Sequence, residues 1–327
     1  MILLIPTQAP RFRSDDSRLT RISTMTVGAI GALLNILLII AIIVDPLKVL
    51  RKGAWITILN LAFADFVVCV ANILDVGLIF EFHVIDDPIT LRIVRFVLIF
   101  GVSASFILLT LLTAETYVVA KYPIKGRLVL TGKKTAMLCM VTWFLAMPFG
   151  LSNIAYLYTD NFSMLLKVYI GQIAALELTV FVQVILKVFI IREIMKSRRN
   201  TQQHNNRHKE IAKTIIILNV ILMVTALPYF VSKQLEFVWK LGLIGGDHWV
   251  WKFSNYYQPI AAINYMANPI LYALRLPDYR RTILVPFAKC KGKGFYFSGC
   301  PRWRNSEVAA NTGNSLPLSS RSTTTKL

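Results

Sequence analysis

The chain has 327 residues, of which 55% are hydrophobic and only 16% are charged. A soluble domain of this length carries more charge because its surface faces water, so the composition excludes an ordinary soluble protein. The net charge of +19 would suit a nucleic-acid-binding protein, but the charge is concentrated between long apolar stretches, which excludes that class as well.

Seven apolar stretches are each long enough to cross a bilayer. A spanning helix needs about 20 mostly apolar residues, because no water in the bilayer core can satisfy exposed backbone groups. The predicted spans are 25–44, 54–80, 93–120, 136–158, 164–191, 212–239 and 250–274. The connections between them are short, so we predict an all-α membrane protein whose residues 25–274 form one seven-helix bundle.

Basic residues cluster on one side of the predicted membrane. With the N-terminus outside, segments 45–53, 121–134 and 192–213 and the tail from Arg275 all lie inside, and they hold nearly the whole net charge. The positive-inside rule makes that face cytoplasmic, and anionic lipid there would favour it further. We therefore predict a multi-pass membrane protein with residues 1–24 outside and the C-terminus in the cytoplasm.

Polar side chains recur at similar inner depths of several spans. Asp65 lies well inside the second span, and neutral polar residues lie at comparable depth on other spans, at Asn35, Ser105, Asn264 and Asn268. An ionisable group at this depth costs at least a few kcal/mol, which makes it a functional candidate. One carboxylate with neutral oxygen groups suits sodium or a shared proton, whereas the alternative is hydrogen bonding between helices without an ion.

Other charged residues lie in the outer halves of their helices, namely Asp75, Glu177, Lys233 and Glu236. Lys233 follows Phe230 by three positions and Tyr229 by four, so the three share roughly one helix face. We predict that Lys233 lines a ligand cavity. For Glu236, snorkelling to the membrane interface is nearly as good an interpretation.

The inner ends of the spans offer further candidates. Glu115 lies at the cytoplasmic end of the third span, where a snorkelling surface carboxylate is a fair alternative to a functional one. Pro228 and Pro269 each remove a ladder hydrogen bond within a helix that adjoins the basic face. The resulting kinks are candidate hinges.

The spans together resemble the rhodopsin-like (class A) G-protein-coupled receptors over about residues 25–287. The motifs that carry this resemblance stand in order on the first, second, fourth, sixth and seventh spans: Gly31-Ala32-Leu33-Leu34-Asn35, Leu61-Ala62-Phe63-Ala64-Asp65, Trp143 followed by Pro148, Leu227-Pro228-Tyr229, and Asn268-Pro269-Ile270-Leu271-Tyr272. Any one of these motifs is weak, but the ordered set on seven spans is specific.

The resemblance implies roles for particular residues. A sodium pocket would be formed by Asp65, Ser105, Asn264 and Asn268. An activation switch would comprise Glu115, Thr116, Tyr117, Pro228, Asn268, Pro269 and Tyr272, where Tyr272 swings inward. The outer ligand cavity would be lined by Leu98, Val102, Tyr229, Phe230, Lys233 and Gln258. A short amphipathic helix, 275–288, would lie on the inner membrane surface after the seventh span.

The chain departs from the family pattern in ways that bear on function. Thr116 replaces the arginine of the family's acidic-arginine-tyrosine triplet, which puts G-protein coupling in doubt. Leu91 replaces the usual disulfide cysteine, and Ala226 replaces the usual tryptophan of the sixth span. Leu98 stands where amine receptors carry an aspartate and Ala262 where opsins carry the retinal lysine, so we favour a peptide ligand.

The remaining candidates are modification and docking sites. Residues 289–327 are polar and are predicted to be a disordered tail with a Ser/Thr cluster that arrestins could read. The last residues, Thr325-Lys326-Leu327, fit a short PDZ-binding motif. Cys290 is a palmitoylation candidate. Asn161 begins a glycosylation sequon in a loop placed outside, although an unused sequon is an equal alternative.

Three functions remain open from the sequence. The first is a receptor that signals through a G protein or an arrestin, with membrane lipid as its solvent. The second is a receptor-shaped decoy, scaffold or arrestin-only receptor, which Thr116 supports. A small transporter or channel is the third, but the sequence shows no inverted repeat. We do not expect an enzyme, because no nucleophile and base are paired at depth.

Overall fold

A computed structural model describes residues 15–45, 53–81, 88–155, 162–198, 217, 220–244 and 249–275. These residues belong to the unit Met1–Val285, and the second unit, Pro286–Leu327, lies outside the described residues. The described part of the chain is almost wholly helical and holds no strand. The predicted surface helix, the tail motifs, Cys290 and Asn161 lie outside the described residues and stay predictions.

Seven long helices follow the order of the predicted spans. They are Asp15–Val44, Ala54–Ile73 with a π-helical continuation Leu74–Glu81, Pro88–Lys121, Gly132–Ala155, Phe162–Arg198, Leu227–Lys240 and Trp249–Arg275. In the sixth span, helical backbone also covers 220–225, before a turn at Ala226. A short helix, Pro123–Val129, joins the third span to the fourth. The seven predicted helices are confirmed.

Six of the described helices are long and apolar enough to cross a membrane. The seventh, Trp249–Arg275, has 27 residues and is therefore long enough at about 1.5 Å per residue, but it is less apolar. Several of its polar residues, Asn264 and Asn268 among them, are buried within the bundle. Because those groups meet protein instead of lipid, the seventh span tolerates a polarity that a lone helix would not.

Two helices extend beyond the apolar stretches that predicted them. The first begins at Asp15, well before residue 25, and the fifth ends at Arg198, beyond residue 191. In both extensions the added residues are largely polar or charged. Hydropathy detects only the part of a helix that lies in hydrocarbon, so it misses turns that continue into the headgroup region and water.

The helices close into a ring around the third span. The first span packs against the second and the seventh, and the third packs against the second, fourth and fifth, while the sixth lies between the fifth and the seventh. Polar contacts fix some of these interfaces. The indole N–H of Trp143 donates to Asn60 Oδ1 at 3.0 Å, and the buried Gln183 Nε2 donates to Thr110 Oγ1 at 2.9 Å.

Apolar side chains cover the outer surface as well as the core. The central core is built from residues such as Leu61, Phe106 and Phe230. Outside it, Phe144 and Phe181 are 69% and 62% exposed. In water such a surface would drive aggregation, but in a bilayer it contacts lipid tails. The distribution therefore fits a helix bundle with lipid as its solvent.

Candidate functional site

A fully buried carboxylate joins three spans within the bundle. Asp65 on the second span has no exposed surface. Ser105 Oγ, from the third span, donates to Asp65 Oδ1 at 2.5 Å, and Asn268 Nδ2, from the seventh, donates to Asp65 Oδ2 at 2.8 Å. These two donors offset part of the cost of burying a carboxylate in the membrane. Three of the four predicted sodium-pocket residues are thus in contact.

The fourth residue of that set, Asn264, is buried on the seventh span, but no hydrogen bond joins it to Asp65. The atoms around Asp65 come from a carboxylate, a hydroxyl and amides, and their oxygens are the ligands that hard cations prefer. Within the described ranges, no three His, Cys, Asp or Glu side chains gather as a metal-binding group. A single negative charge with neutral oxygens matches a monovalent cation.

Asn35 satisfies a carbonyl that Pro269 leaves without its helical partner. Proline has no N–H, so the carbonyl of Tyr265, four residues earlier, lacks its ladder bond. Asn35 Nδ2 donates to that carbonyl at 2.9 Å and also to the carbonyl of Gly31 at 2.9 Å. The first span therefore braces the seventh span at Pro269, next to the Asn268–Asp65 contact.

A second proline of the predicted switch is braced in the same way. Pro228 removes the ladder bond to the carbonyl of Val224, four residues earlier in the sixth span. The hydroxyl of Tyr257, from the seventh span, donates a short hydrogen bond to that carbonyl. The sixth span is helical on both sides of a turn at Ala226, so this bond links its bend to the seventh span.

Tyr272, the predicted inward-swinging tyrosine, lies against the first and second spans. It is 6% exposed and packs with Leu38, Ile58 and Ala62. Its hydroxyl is buried without a hydrogen-bond partner among the described residues. A buried hydroxyl without a partner is costly, so an arrangement that gives Tyr272 Oη a partner would be favoured.

The three residues of the Glu115-Thr116-Tyr117 triplet point to different partners. Glu115 is 4% exposed and accepts a hydrogen bond from Thr57 Oγ1 of the second span at 2.8 Å, so the snorkelling interpretation is wrong. Thr116 Oγ1 donates to the carbonyl of Leu112 in its own helix at 2.7 Å. The ring of Tyr117 lies 6.1 Å from that of Phe189 on the fifth span.

The apolar members of the predicted ligand cavity all belong to one core cluster or pack against it. Leu98, Val102 and Tyr229 pack against one core cluster that also holds Phe230. The ring of Phe230 lies 5.1 Å from Phe106, which ties the sixth span to the third where the sequence lacks the usual tryptophan. Gln258, on the seventh span, is half-buried, and no hydrogen bond joins it to these residues.

Lys233 is part of an ion-pair cluster with Glu236. Its Nζ lies 2.9 Å from Glu236 Oε2 and 5.8 Å from the ring centre of Tyr229. Lys240 Nζ lies 2.7 Å from Glu236 Oε1, and Ser254 Oγ, from the seventh span, donates to Oε2 at 2.6 Å. Glu236 is only 2% exposed, which contradicts the alternative interpretation that it snorkels.

A looser ion pair joins the second and third spans nearby. Asp75 Oδ1 lies 3.5 Å from Arg95 Nε. Asp75 stands in the π-helical segment Leu74–Glu81, and such widened turns are frequent at functional sites.

Sequence reasoning missed four residues that hold the candidate site together. They are Thr57, Lys240, Ser254 and Tyr257. Each makes its contact with a residue on another span or one turn away, and none belongs to a local motif. For Tyr257, a signal did exist: Pro228 requires a donor for the carbonyl of Val224, although the sequence does not say which span supplies it.

Comparison with protein-family models gives a match over residues 34–272 to the family described as 7 transmembrane receptor (rhodopsin family). Comparison with curated protein sequences finds no match. The matched range covers most of the chain, from the first span to Tyr272, and includes the network around Asp65, the triplet and the outer cluster at Lys233.

Proposed function

Because the chain belongs to the rhodopsin family of seven-transmembrane receptors, we propose that it converts the binding of an extracellular ligand into a cytoplasmic signal by rearranging its helices. The observation that supports this most is the network at Asp65, where one buried carboxylate holds the second, third and seventh spans together. A ligand that prefers one arrangement of these spans shifts the population toward it.

The contacts at Asp65 are suited to such a two-state change. Asn268, which donates to Asp65, directly precedes Pro269, where the helix lacks a ladder bond. A change of bend at Pro269 therefore moves Asn268 relative to Asp65. It would also move Tyr272, one turn further along, whose hydroxyl has no partner within the described residues.

A sodium ion is the proposed occupant of this network in the resting state. Asp65, Ser105 and Asn268 would hold it, with Asn264 four residues before Asn268 on the same helix. When bound, the ion supplies a positive charge that balances the buried carboxylate. The carboxylate, hydroxyl and amide oxygens that these side chains can offer, and their single negative charge, support this assignment.

The proposed ligand is a peptide. Charged groups are concentrated in the outer halves of the second, third and sixth spans, in the Asp75–Arg95 pair and the cluster around Glu236. Leu98, packed against the core, offers no carboxylate for an amine. Ala262, buried at 6% exposure, offers no amine for retinal.

Thr116 supports a second candidate function, that of a receptor that signals through arrestin alone or acts as a decoy. Its hydroxyl is bonded to its own helix and it carries no charge, so it supplies no cation at the cytoplasmic face. Glu115, in turn, is held by Thr57 instead of a neighbouring arginine. The cytoplasmic partner is accordingly a G protein or an arrestin.

The two candidates are separated by measuring G-protein dissociation in cells that express the natural chain or Thr116→Arg at equal surface level. Basal or ligand-driven dissociation with the natural chain would establish G-protein coupling despite Thr116. A silent natural chain whose coupling is restored by Thr116→Arg would establish the arrestin-only or decoy function. If both chains are silent and neither recruits arrestin, the proposed signalling function is wrong.

The remaining proposals concern the two termini and the loop that contains Asn161. We place the N-terminus outside the cell and the C-terminus in the cytoplasm, in contact with anionic lipid, because the basic segments lie on that side. Palmitoylation at Cys290, glycosylation at Asn161 and PDZ binding through Thr325-Lys326-Leu327 each rest on their motif in the sequence.

A further inference from the structure

Glu236 has three polar partners, two lysines and a hydroxyl, so it would keep two of them if one moved away. Its Oε1 contacts Lys240 at 2.7 Å, while its Oε2 contacts both Lys233, at 2.9 Å, and Ser254, at 2.6 Å. If Lys233 moved away, Glu236 would keep an ion pair on one oxygen and a hydrogen bond on the other. The departure of Lys233 would therefore not leave a buried carboxylate unpaired, which is the costly outcome.

Of the two residues in this ion pair, Lys233 is the more accessible to a ligand. Its side chain is 21% exposed, against 3% for Glu236. The lysine stem is long and flexible, so its ammonium can turn between acceptors without a change in the helix. Its Nζ already lies 5.8 Å from the ring centre of Tyr229, one of the residues predicted to line the ligand cavity.

The charges of this cluster favour an incoming anion. Lys233, Glu236 and Lys240 together leave one positive charge uncompensated. Of the other acids assigned to the outer halves, Asp75 is paired with Arg95 at 3.5 Å, and Glu177 of the fifth span is hydrogen-bonded to Gln234. A ligand carboxylate that reached Lys233 would neutralise the excess charge and would take the place that Glu236 Oε2 holds in the free receptor.

We propose that Lys233 is the binding site for a carboxylate group of the ligand, and that Glu236 occupies this site until the ligand replaces it. The proposal rests on the receptor function proposed above and adds a chemical class to its ligand. A peptide with a free C-terminus and a small organic acid present the same group. No bond forms or breaks, since one ion pair is exchanged for another.

The test uses the full-length chain in lipid nanodiscs with its lysines reductively dimethylated with ¹³C, so that each lysine reports its ion pairing by NMR. The Lys233 signal is assigned with Lys233→Arg and the Lys240 signal with Lys240→Arg. Benzoate is titrated against benzamide, which has the same shape but no charge. A short acetylated peptide with a free carboxyl terminus is titrated against its amide, which separates the peptide source from the small acid.

We expect the Lys233 signal to shift and saturate with at least one of the two carboxylates and with neither amide, while the Lys240 signal changes little. Glu236→Gln removes the internal competitor, so the carboxylate should saturate Lys233 at about tenfold lower concentration, equivalent to about 1.4 kcal/mol. Ser254→Ala serves as the matched control, because it removes a partner of Glu236 but leaves the carboxylate in place.

Two results would overturn the proposal. One is a Lys233 signal that neither carboxylate moves, or that the amides move equally. The other is a carboxylate affinity that Glu236→Gln leaves unchanged or weakens. The titration needs no signalling partner, so its failure in a chain that couples in cells would remove only the carboxylate site, whereas saturation in a chain that is silent in cells would remove only the signalling function.

Discussion

The residues of the candidate site show how a membrane helix bundle satisfies its buried polar groups. Asp65 and Glu115 are both buried acids of the inner half, and each accepts a hydroxyl hydrogen bond from another span, Ser105 in one case and Thr57 in the other. Only Asp65 also has an amide donor from the seventh span. Asp65 therefore senses the position of a third helix, whereas Glu115 links the third span to the second.

If sodium binds at Asp65, it should stabilise the folded chain. Asp65→Asn keeps a similar shape but removes the charge that would hold the ion. For the natural chain we expect a higher melting temperature in sodium chloride than in potassium chloride of equal ionic strength. The melting temperature should rise by about 2–4 °C for each kcal/mol by which sodium binding stabilises the folded state. In Asp65→Asn the two salts should give the same melting temperature.

The control for this measurement is Asp75→Asn, which removes a carboxylate of the same span that is paired with Arg95. It should keep the difference between the two salts. A sodium effect that survives in Asp65→Asn would place the ion elsewhere, and equal melting temperatures in the natural chain would argue that the network is held by hydrogen bonds alone.

At the scale of the helices, the sequence predicts what depends on local pattern. The apolar stretches locate all seven helices, and the motifs around Asn35, Asp65 and Pro269 identify side chains that meet in the structure. Contacts between spans are not predicted in the same way. The bond from Thr57 to Glu115 and that from Tyr257 to Val224 depend on the rotation of each helix about its axis. A span that is apolar on all sides does not indicate this rotation in its sequence.

The hydrogen bond from Tyr257 to the carbonyl of Val224 should stabilise the sixth span. Tyr257→Phe removes the hydroxyl that satisfies the carbonyl of Val224, which should cost about 1 kcal/mol of stability. Pro228→Ala restores the N–H that a regular helix would offer to the same carbonyl. In that background Tyr257→Phe should cost much less, because the carbonyl already has a donor.

A double-mutant cycle on melting temperature or denaturant stability measures this coupling. Tyr265→Phe is a matched control, since it removes a tyrosine hydroxyl of the same helix that has no part in the Val224 contact. Additive effects of Tyr257→Phe and Pro228→Ala would show that the tyrosine acts through something other than the freed carbonyl.

For the whole molecule, the distribution of charge decides how the bundle sits in the membrane. The outer belt of apolar side chains gives the bundle a lipid-facing surface but no direction. We expect the direction to come from the Lys and Arg residues of segments 45–53, 121–134 and 192–213 and of the tail, because the positive-inside rule predicts that they lie in the cytoplasm. Opposing them are four arginines before the first predicted span, Arg11, Arg13, Arg18 and Arg21.

The orientation of the chain in the membrane can be tested by changing these opposing charges. We expect an epitope tag at the N-terminus to bind antibody on intact cells and a tag at the C-terminus to bind only after permeabilisation, because three basic segments and the tail outweigh one. Changing the four arginines to glutamine should leave this orientation intact or strengthen it, while neutralising the basic residues of 121–134 and 192–213 should create a population with the reverse topology. An N-terminal tag that needs permeabilisation in the natural chain would reverse the orientation and would place Lys233 and its proposed carboxylate site on the cytoplasmic side, where an extracellular ligand has no access.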